Sequence, residues 1–448
     1  MMSVANLSKN NISTPKYVIT YTFSTCGENH VGNEKIGEMR DGFNSSFFEN
    51  LMCLHNPNIT VHNLATNLPI PQNMEAHIAT YSDFCGMNRE NIENEARMIY
   101  WDEAKWDSDT RTVQFKHART NTMFCYPETM SNYNGVPKFP DFQAYEDEYK
   151  NAITIKEQLE RNHMEIIKTI TSQVKYEDKV KAKKTLSNEE NNIYSQYEIA
   201  CKKIKAIPHG IEVTKAAIAE IKCKKLEEYI LQYPDYLQGK GTVYNINTLP
   251  YTHKLAQKVE MFCLENGYVF EKKAYVIEGN YYHDVDQCYI GFHGDTEREV
   301  VFGVRLGNSQ IPLFYGWWYK NQLIPNSLKC FVPKSGDAYM MARKTVGRDW
   351  KSSNAYTLRH AAGDILTLQK QKSLDAIVKK DKFFINRILD PNSSFITYMT
   401  EQDKNFALEK LRNLYLLHQK KNNNNKSAEQ TLIDKFEADQ VTYQKDIN

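Results

Sequence analysis

Hydrophobic positions follow two periods that alternate along this chain. Between residues 15 and 140, the runs Tyr17–Phe23, Ile59–Leu64, His77–Tyr81 and Val113–Asn121 are rich in β-branched and aromatic residues and read as strands. Among them Phe47, Phe48, Leu51 and Leu54 recur at helical spacing. Asn91–Trp106 carries Ile92, Ala96, Ile99 and Tyr100 along one side of a further expected helix. This alternation predicts a small α/β domain.

From 141 to 236 the period becomes helical throughout. Ile155, Leu159, Ile166, Ile170 and Val174 repeat at four- and seven-residue steps amid Lys, Glu and Gln. Ser187-x-x-Glu190 has the form of a capping box, and Ile193, Tyr197, Ala200 and Ile204 follow it on one face. Pro208-His209-Gly210 is expected to break that helix before a third one from Val213. The pattern predicts an antiparallel helical insertion. Its stripe would serve packing within the chain or self-association, and its lysines a solvated face.

From 237 to 372 strands return: Ala274–Ile277, Gln287–His293, Val300–Leu306, Pro312–Trp318, Leu328–Val332, Ala338–Ala342, Tyr356–Ala361 and Ile365–Leu368. Residues 1–14 read as a flexible polar N-terminus. Residues 373–448 read as a helical region with a polar tail, in which Phe406, Leu408, Leu411, Leu414 and Leu417 mark one packed helix. The fold class expected is α+β.

Composition narrows the function classes. The chain has 448 residues and a net charge of +1, so it carries no global field to draw in nucleic acid. Its nine cysteines are scattered without a C-x-x-C, which argues against a zinc module or a disulfide framework and for a reducing compartment. No run of about 18 or more apolar residues reads as a membrane span. A soluble, intracellular protein with no membrane attachment is expected.

Chemistry concentrates in Asn280–Glu297. His293 and Asp295 form an H-x-D pair at the end of an apolar run. On a strand, residues two apart face the same side, so imidazole and carboxylate converge. With one more histidine they would make the two-His, one-carboxylate face that binds non-haem Fe(II). Asn280-x-Tyr282 stands upstream; Val304-Arg305-Leu306-Gly307, the aromatic run Phe314–Tyr319 and Gly336-Asp337 follow. Together these elements, spanning about 265–372, resemble the AlkB-type 2-oxoglutarate/Fe(II) oxygenases. The resemblance implies a double-stranded β-helix (jelly roll) over this segment. It also implies Fe(II) as cofactor, 2-oxoglutarate and O2 as cosubstrates, and hydroxylation or oxidative demethylation as the reaction.

The same resemblance assigns residues. His293 and Asp295 would bind iron, and Asn280 and Tyr282 would touch the cosubstrate. The third ligand belongs two residues beyond a Trp, but there Ser352 follows Trp350; the next histidine, His360, is taken instead. A site that lost its third ligand and serves only binding is the alternative. The distal carboxylate of 2-oxoglutarate requires a buried cation. Arg305 is the first choice, with Lys370 next and Arg359 beside it. The substrate would be a base of single-stranded or damaged nucleic acid, or a protein side chain. In the first 140 residues, Glu28, Asn29, His30, Lys116, His117, Arg119 and Asn121 form either a second polar site or a capping turn and a solvated edge strand.

Overall fold

The computed structural model describes residues 15–28, 35–71, 74–107, 112–116, 119–130, 133–173, 183, 185–324 and 327–363. The expected flexible N-terminus, the strand Ile365–Leu368 and the C-terminal helices lie outside the described residues.

Two antiparallel sheets and a set of helices make an α+β protein. The strands that form the two sheets are, in chain order, β1 (Val18–Ser24), β2 (Ile59–Asn63), β3 (His77–Tyr81), β4 (Thr120–Cys125), β5 (Ile230–Gln232), β6 (Val243–Asn245) and β7 (Val276–Tyr282). They continue as β8 (Ile290–His293), β9 (Val301–Gly307), β10 (Leu313–Tyr319), β11 (Gln322–Leu323), β12 (Lys329–Phe331), β13 (Ala338–Met341) and β14 (Thr357–Ala362). The large sheet runs β2-β3-β13-β9-β1-β7-β4-β6-β5, and only β6 against β4 is parallel. The small sheet runs β8-β14-β10-β11, with β12 also paired to β10.

The order of the large sheet interleaves the two segments expected to be separate domains. Strands from 15–140 (β1 to β4) alternate with strands from 237–372, and β1 lies between β7 and β9, antiparallel to both. The segments therefore share one sheet. The reason is visible in β1: all seven of its residues are buried, so it cannot be the rim of a small domain.

Alternation along the strands gives the large sheet two dissimilar faces. Ile19, Tyr21 and Phe23 of β1, with Val304 and Leu306 of β9, pack under helices α1 (Ser45–Cys53), α2 (Arg89–Met98) and parts of the longer helices. The opposite face turns toward the small sheet, where Val18, Tyr282, Val301, Tyr339 and Met341 meet Leu313, Tyr315, Trp317, Leu358 and Ala362. The α2 helix ends at Met98, well short of Trp106, because Ala104–Asp107 turns into a hairpin with Thr112–Phe115.

The helical insertion consists of α3 (Phe142–Thr171) and α4 (Asn188–Cys223), packed side by side. Glu160 meets Tyr197 and Glu148 meets Lys203, so the pair is antiparallel. The capping box at Ser187 and Glu190 is formed in both directions. The expected break at Pro208 does not occur; α4 runs through it as one helix. Proline costs about 3 kcal/mol inside a helix, but Ala206, Ile207, Gly210 and Thr214 around it are buried and hold the turn in place. Gly210 itself is needed there, because a Cβ would overlap the side chain of Leu237. After α5 (Pro250–Glu265) the chain enters β7. Among the described residues, no helix is long and apolar enough to cross a membrane.

Candidate metal centre and its cavity

His293 and His360 are cross-strand partners on β8 and β14. Their rings approach to 4.5 Å between centroids. Asp295 follows two residues after His293, and its Oδ1 lies 3.5 Å from Nε2 of His293 and 3.9 Å from Nε2 of His360. One ligand atom from each of the three side chains falls within 4.8 Å of the others. Nδ1 of His293 lies 2.7 Å from the Gly291 carbonyl, which can only accept. Nδ1 therefore donates to that carbonyl, and Nε2 is the nitrogen that faces the carboxylate.

Backbone packing holds this turn. Asp295 donates its N–H to the Val346 carbonyl at 3.0 Å. Val346 ends the short helix α6 (Arg343–Val346), and Gly347 beyond it has a φ of 77°. Gly294 has no room for a side chain, since a Cβ would overlap the Gly347 carbonyl.

His360 and Asp295 are both shifted downward, for different reasons. Burial, and then the charge of neighbouring His293, lowers the His360 pKa to about 4. Burial alone would raise the Asp295 carboxyl. Arg298 and the two imidazoles outweigh it and hold that group well below the usual carboxylate range. Arg298 is 3% exposed. It contacts Glu278, Glu297 at 2.8 Å and Asp295 Oδ2 at 3.7 Å.

A cavity of about 370 Å³ opens over the three groups, between the two sheets. Strand register puts one polar side chain from each of four strands in a row along its wall. Asn121 on β4 faces Asn280 on β7, which faces Thr20 on β1, which faces Arg305 on β9. All four line the cavity, as do Tyr282 and Arg119. Arg119 donates from Nε to Asn280 Oδ1 at 2.7 Å. Arg305 is 2% exposed, and its Nε and Nη1 have no hydrogen-bond partner. Its guanidinium carbon sits 6.0 Å from the ring of Tyr282 and 5.7 Å from that of Tyr339. Gly303 opposes Tyr339 and leaves room for that ring.

The geometry thus brings His293, Asp295, His360, Asn280, Tyr282 and Arg305 together. Ser352 is exposed. Arg359 lies under the rings of Trp318 and Trp350 and donates to Asn321; it does not itself line the cavity. Lys370 lies outside the described residues. Of the polar residues in the first 140, Arg119 and Asn121 line the cavity, and Lys116 donates to Asn121. Glu28 falls in a short hairpin strand, Cys26–Glu28, while Asn29, His30 and His117 lie outside the described residues.

Sequence reasoning passed over Thr20, Thr22, Glu278 and Arg298. A signal existed for three of them. Thr20 and Thr22 alternate with Ile19, Tyr21 and Phe23, and Glu278 interrupts the apolar start of β7, each a polar residue on an otherwise buried strand. Arg298 sits within an ordinary-looking charged run, Asp295-Thr296-Glu297-Arg298-Glu299, and had none.

Comparison with known proteins adds little to this geometry. No protein-family model matches the chain, and no solved structure matches it. A curated relative, the uncharacterized protein R156 of Acanthamoeba polyphaga mimivirus, is 40% identical over 134 residues. The match covers 30% of this chain and 49% of that protein, so it spans about half of the relative.

Proposed function

We propose that the protein is an Fe(II)- and 2-oxoglutarate-dependent oxygenase whose site is the cavity between the two sheets. The observation that carries the reading is the convergence of His293, Asp295 and His360 beside an unpartnered buried arginine. Two imidazole nitrogens face one carboxylate oxygen there, at 3.5 and 3.9 Å. Two imidazoles and one carboxylate are the donor set that suits non-haem Fe(II). Ser352, on which a site without a third ligand rested, is exposed, while His360 supplies the third donor.

The strand orders support the double-stranded β-helix. The small sheet carries both histidine strands side by side, β8 and β14. In the large sheet β1 closes the gap between β7 and β9. On this reading the N-terminal strand completes a roll whose other strands come from 237–372.

With 2-oxoglutarate and O2, bound Fe(II) supplies oxidation of a substrate C–H bond coupled to oxidative decarboxylation of the 2-oxo acid. The chain's own residues do the rest. His293, Asp295 and His360 would hold the ion. Arg305 takes the distal carboxylate of 2-oxoglutarate in a charge-assisted pair, which relieves the cost of a buried lone guanidinium. Tyr282 and Tyr339 flank that pair and keep water from it. Asn280, anchored by Arg119, presents its amide to the same molecule. Trp350 and the exposed Lys351 also line the cavity. The substrate on this reading is a nucleobase of single-stranded or damaged nucleic acid, or a protein side chain. Binding of single-stranded DNA and RNA across salt separates them, since phosphate contacts make affinity fall steeply with salt.

Succinate release from 2-oxoglutarate, measured on anaerobically purified protein given Fe(II) and then O2, tests the reaction. Release that requires both and disappears in His293→Ala and Asp295→Ala is expected. No release with a broad substrate panel, together with no iron binding, would overturn the proposal.

A further inference from the structure

Asp295 uses its two oxygens differently. Oδ1 faces both imidazoles, while Oδ2 faces Nε of Arg298 at 3.7 Å. The Arg298 guanidinium is in turn fixed by Glu278 and by Glu297, which accepts from Nη2 at 2.8 Å and from Nε at 3.1 Å. From Glu278 the contacts continue into the cavity wall. Asn280 donates to Glu278 Oε1 at 3.3 Å and accepts from Arg119 at 2.7 Å. A chain of polar contacts therefore runs from Asp295 through Arg298, Glu278 and Asn280 to Arg119, bridging segments far apart in sequence.

Resting on the metal reading above, we infer that Arg298 is a positioning residue that makes Asp295 a one-oxygen ligand and ties it to the Asn280 side of the cavity. The physical argument is one of occupancy. An Oδ2 held toward a guanidinium is not free to swing onto the ion, so the carboxylate occupies one coordination position and leaves the open face to the cosubstrate. Groups that hold a ligating carboxylate from behind typically change metal affinity or activity by about 10- to 100-fold when removed. The link to Asn280 adds a second consequence: disturbing Arg298 disturbs the dicarboxylate pocket as well. Arg305 is hydrogen-bonded to none of these groups by its side chain and should act on the dicarboxylate alone.

The test is Co(II) titration of the full-length protein, read by calorimetry and by the visible absorption of the bound ion, with wild type, Arg298→Met, Arg298→Lys and Glu278→Gln. Circular dichroism and melting curves accompany each variant. The expected result is about 10-fold or greater weakening of Co(II) binding in folded Arg298→Met, with an altered absorption band. Arg298→Lys should restore most of both, and Glu278→Gln should alter the band less but weaken 2-oxoglutarate binding. A folded Arg298→Met with wild-type affinity and band overturns the inference and leaves the metal reading standing. If Arg298→Met does not fold, Glu278→Gln decides: a wild-type band and wild-type 2-oxoglutarate affinity in that variant overturns it. Failure of the wild type itself to bind Co(II) overturns the metal reading, and this inference with it.

Discussion

Arg305 is the residue on which burial and function pull hardest against each other. A guanidinium that is 2% exposed, with two nitrogens unpartnered, is a cost to the ligand-free fold. Replacing a buried charge by an apolar residue of similar volume is often neutral or stabilising by about 1–4 kcal/mol. Arg305→Leu should therefore melt at the same temperature as the ligand-free wild type or higher. The same variant should bind 2-oxoglutarate about 30-fold or more weakly, from about 2 kcal/mol or more of lost charge pairing, while Co(II) binding stays as in wild type. Melting curves and 2-oxoglutarate titration of the Co(II) form check both halves. A variant that is less stable and keeps its cosubstrate would show that Arg305 is structural. Its placement was legible in the sequence, because Val304 and Leu306 alternate with it and both are core. The roles of Arg298 and Arg119 were not. Each depends on contacts between segments distant in the chain, which no local pattern encodes.

At the scale of elements, the turn after β8 carries the most constraint. Gly294 packs against the Gly347 carbonyl, and Asp295 is tied by its amide to Val346, so the Asp295 carboxylate is positioned by α6 and the turn beyond it. Gly294→Ala would force these backbones apart. Overpacking of this kind costs about 1–3 kcal/mol, and the displaced Asp295 should bind Co(II) more weakly than in wild type. Thermal unfolding and metal titration check this; unchanged values in both would mean the turn adapts freely. Elements with regular periodicity were the readable ones. The α3–α4 pair, its capping box and most strands of 237–372 followed from spacing alone. The continuation of α4 through Pro208 did not, because what holds that turn is packing against Leu237, a tertiary contact that outweighs the local preference of proline.

Across the whole molecule, the feature with the widest consequences is the position of β1. It pairs with β7 along seven residues and with β9 along six, and it contributes Thr20 and Thr22 to the cavity. Residues 237–372 expressed alone would leave β7 without either neighbour, β1 or β4, and β9 and β13 each with an unpaired edge. That fragment should fail to unfold cooperatively, whereas the full chain should do so. A cooperative, metal-binding fragment would show that β1 is dispensable. Such partnership across more than two hundred residues is beyond any window of sequence, so the strand was recognisable as a strand but not as the centre of the sheet. On the proposed reading, two histidines on adjacent strands and an aspartate in the turn after β8 hold one Fe(II) that also receives 2-oxoglutarate. The most direct test of that reading is anaerobic titration of the full-length protein with Fe(II) and then 2-oxoglutarate, following the visible charge-transfer absorption of the combined complex. One iron per chain and a band that requires 2-oxoglutarate, with both lost in His360→Ala, is the predicted result; an undiminished band in His360→Ala, or no iron bound by the wild type, would contradict it.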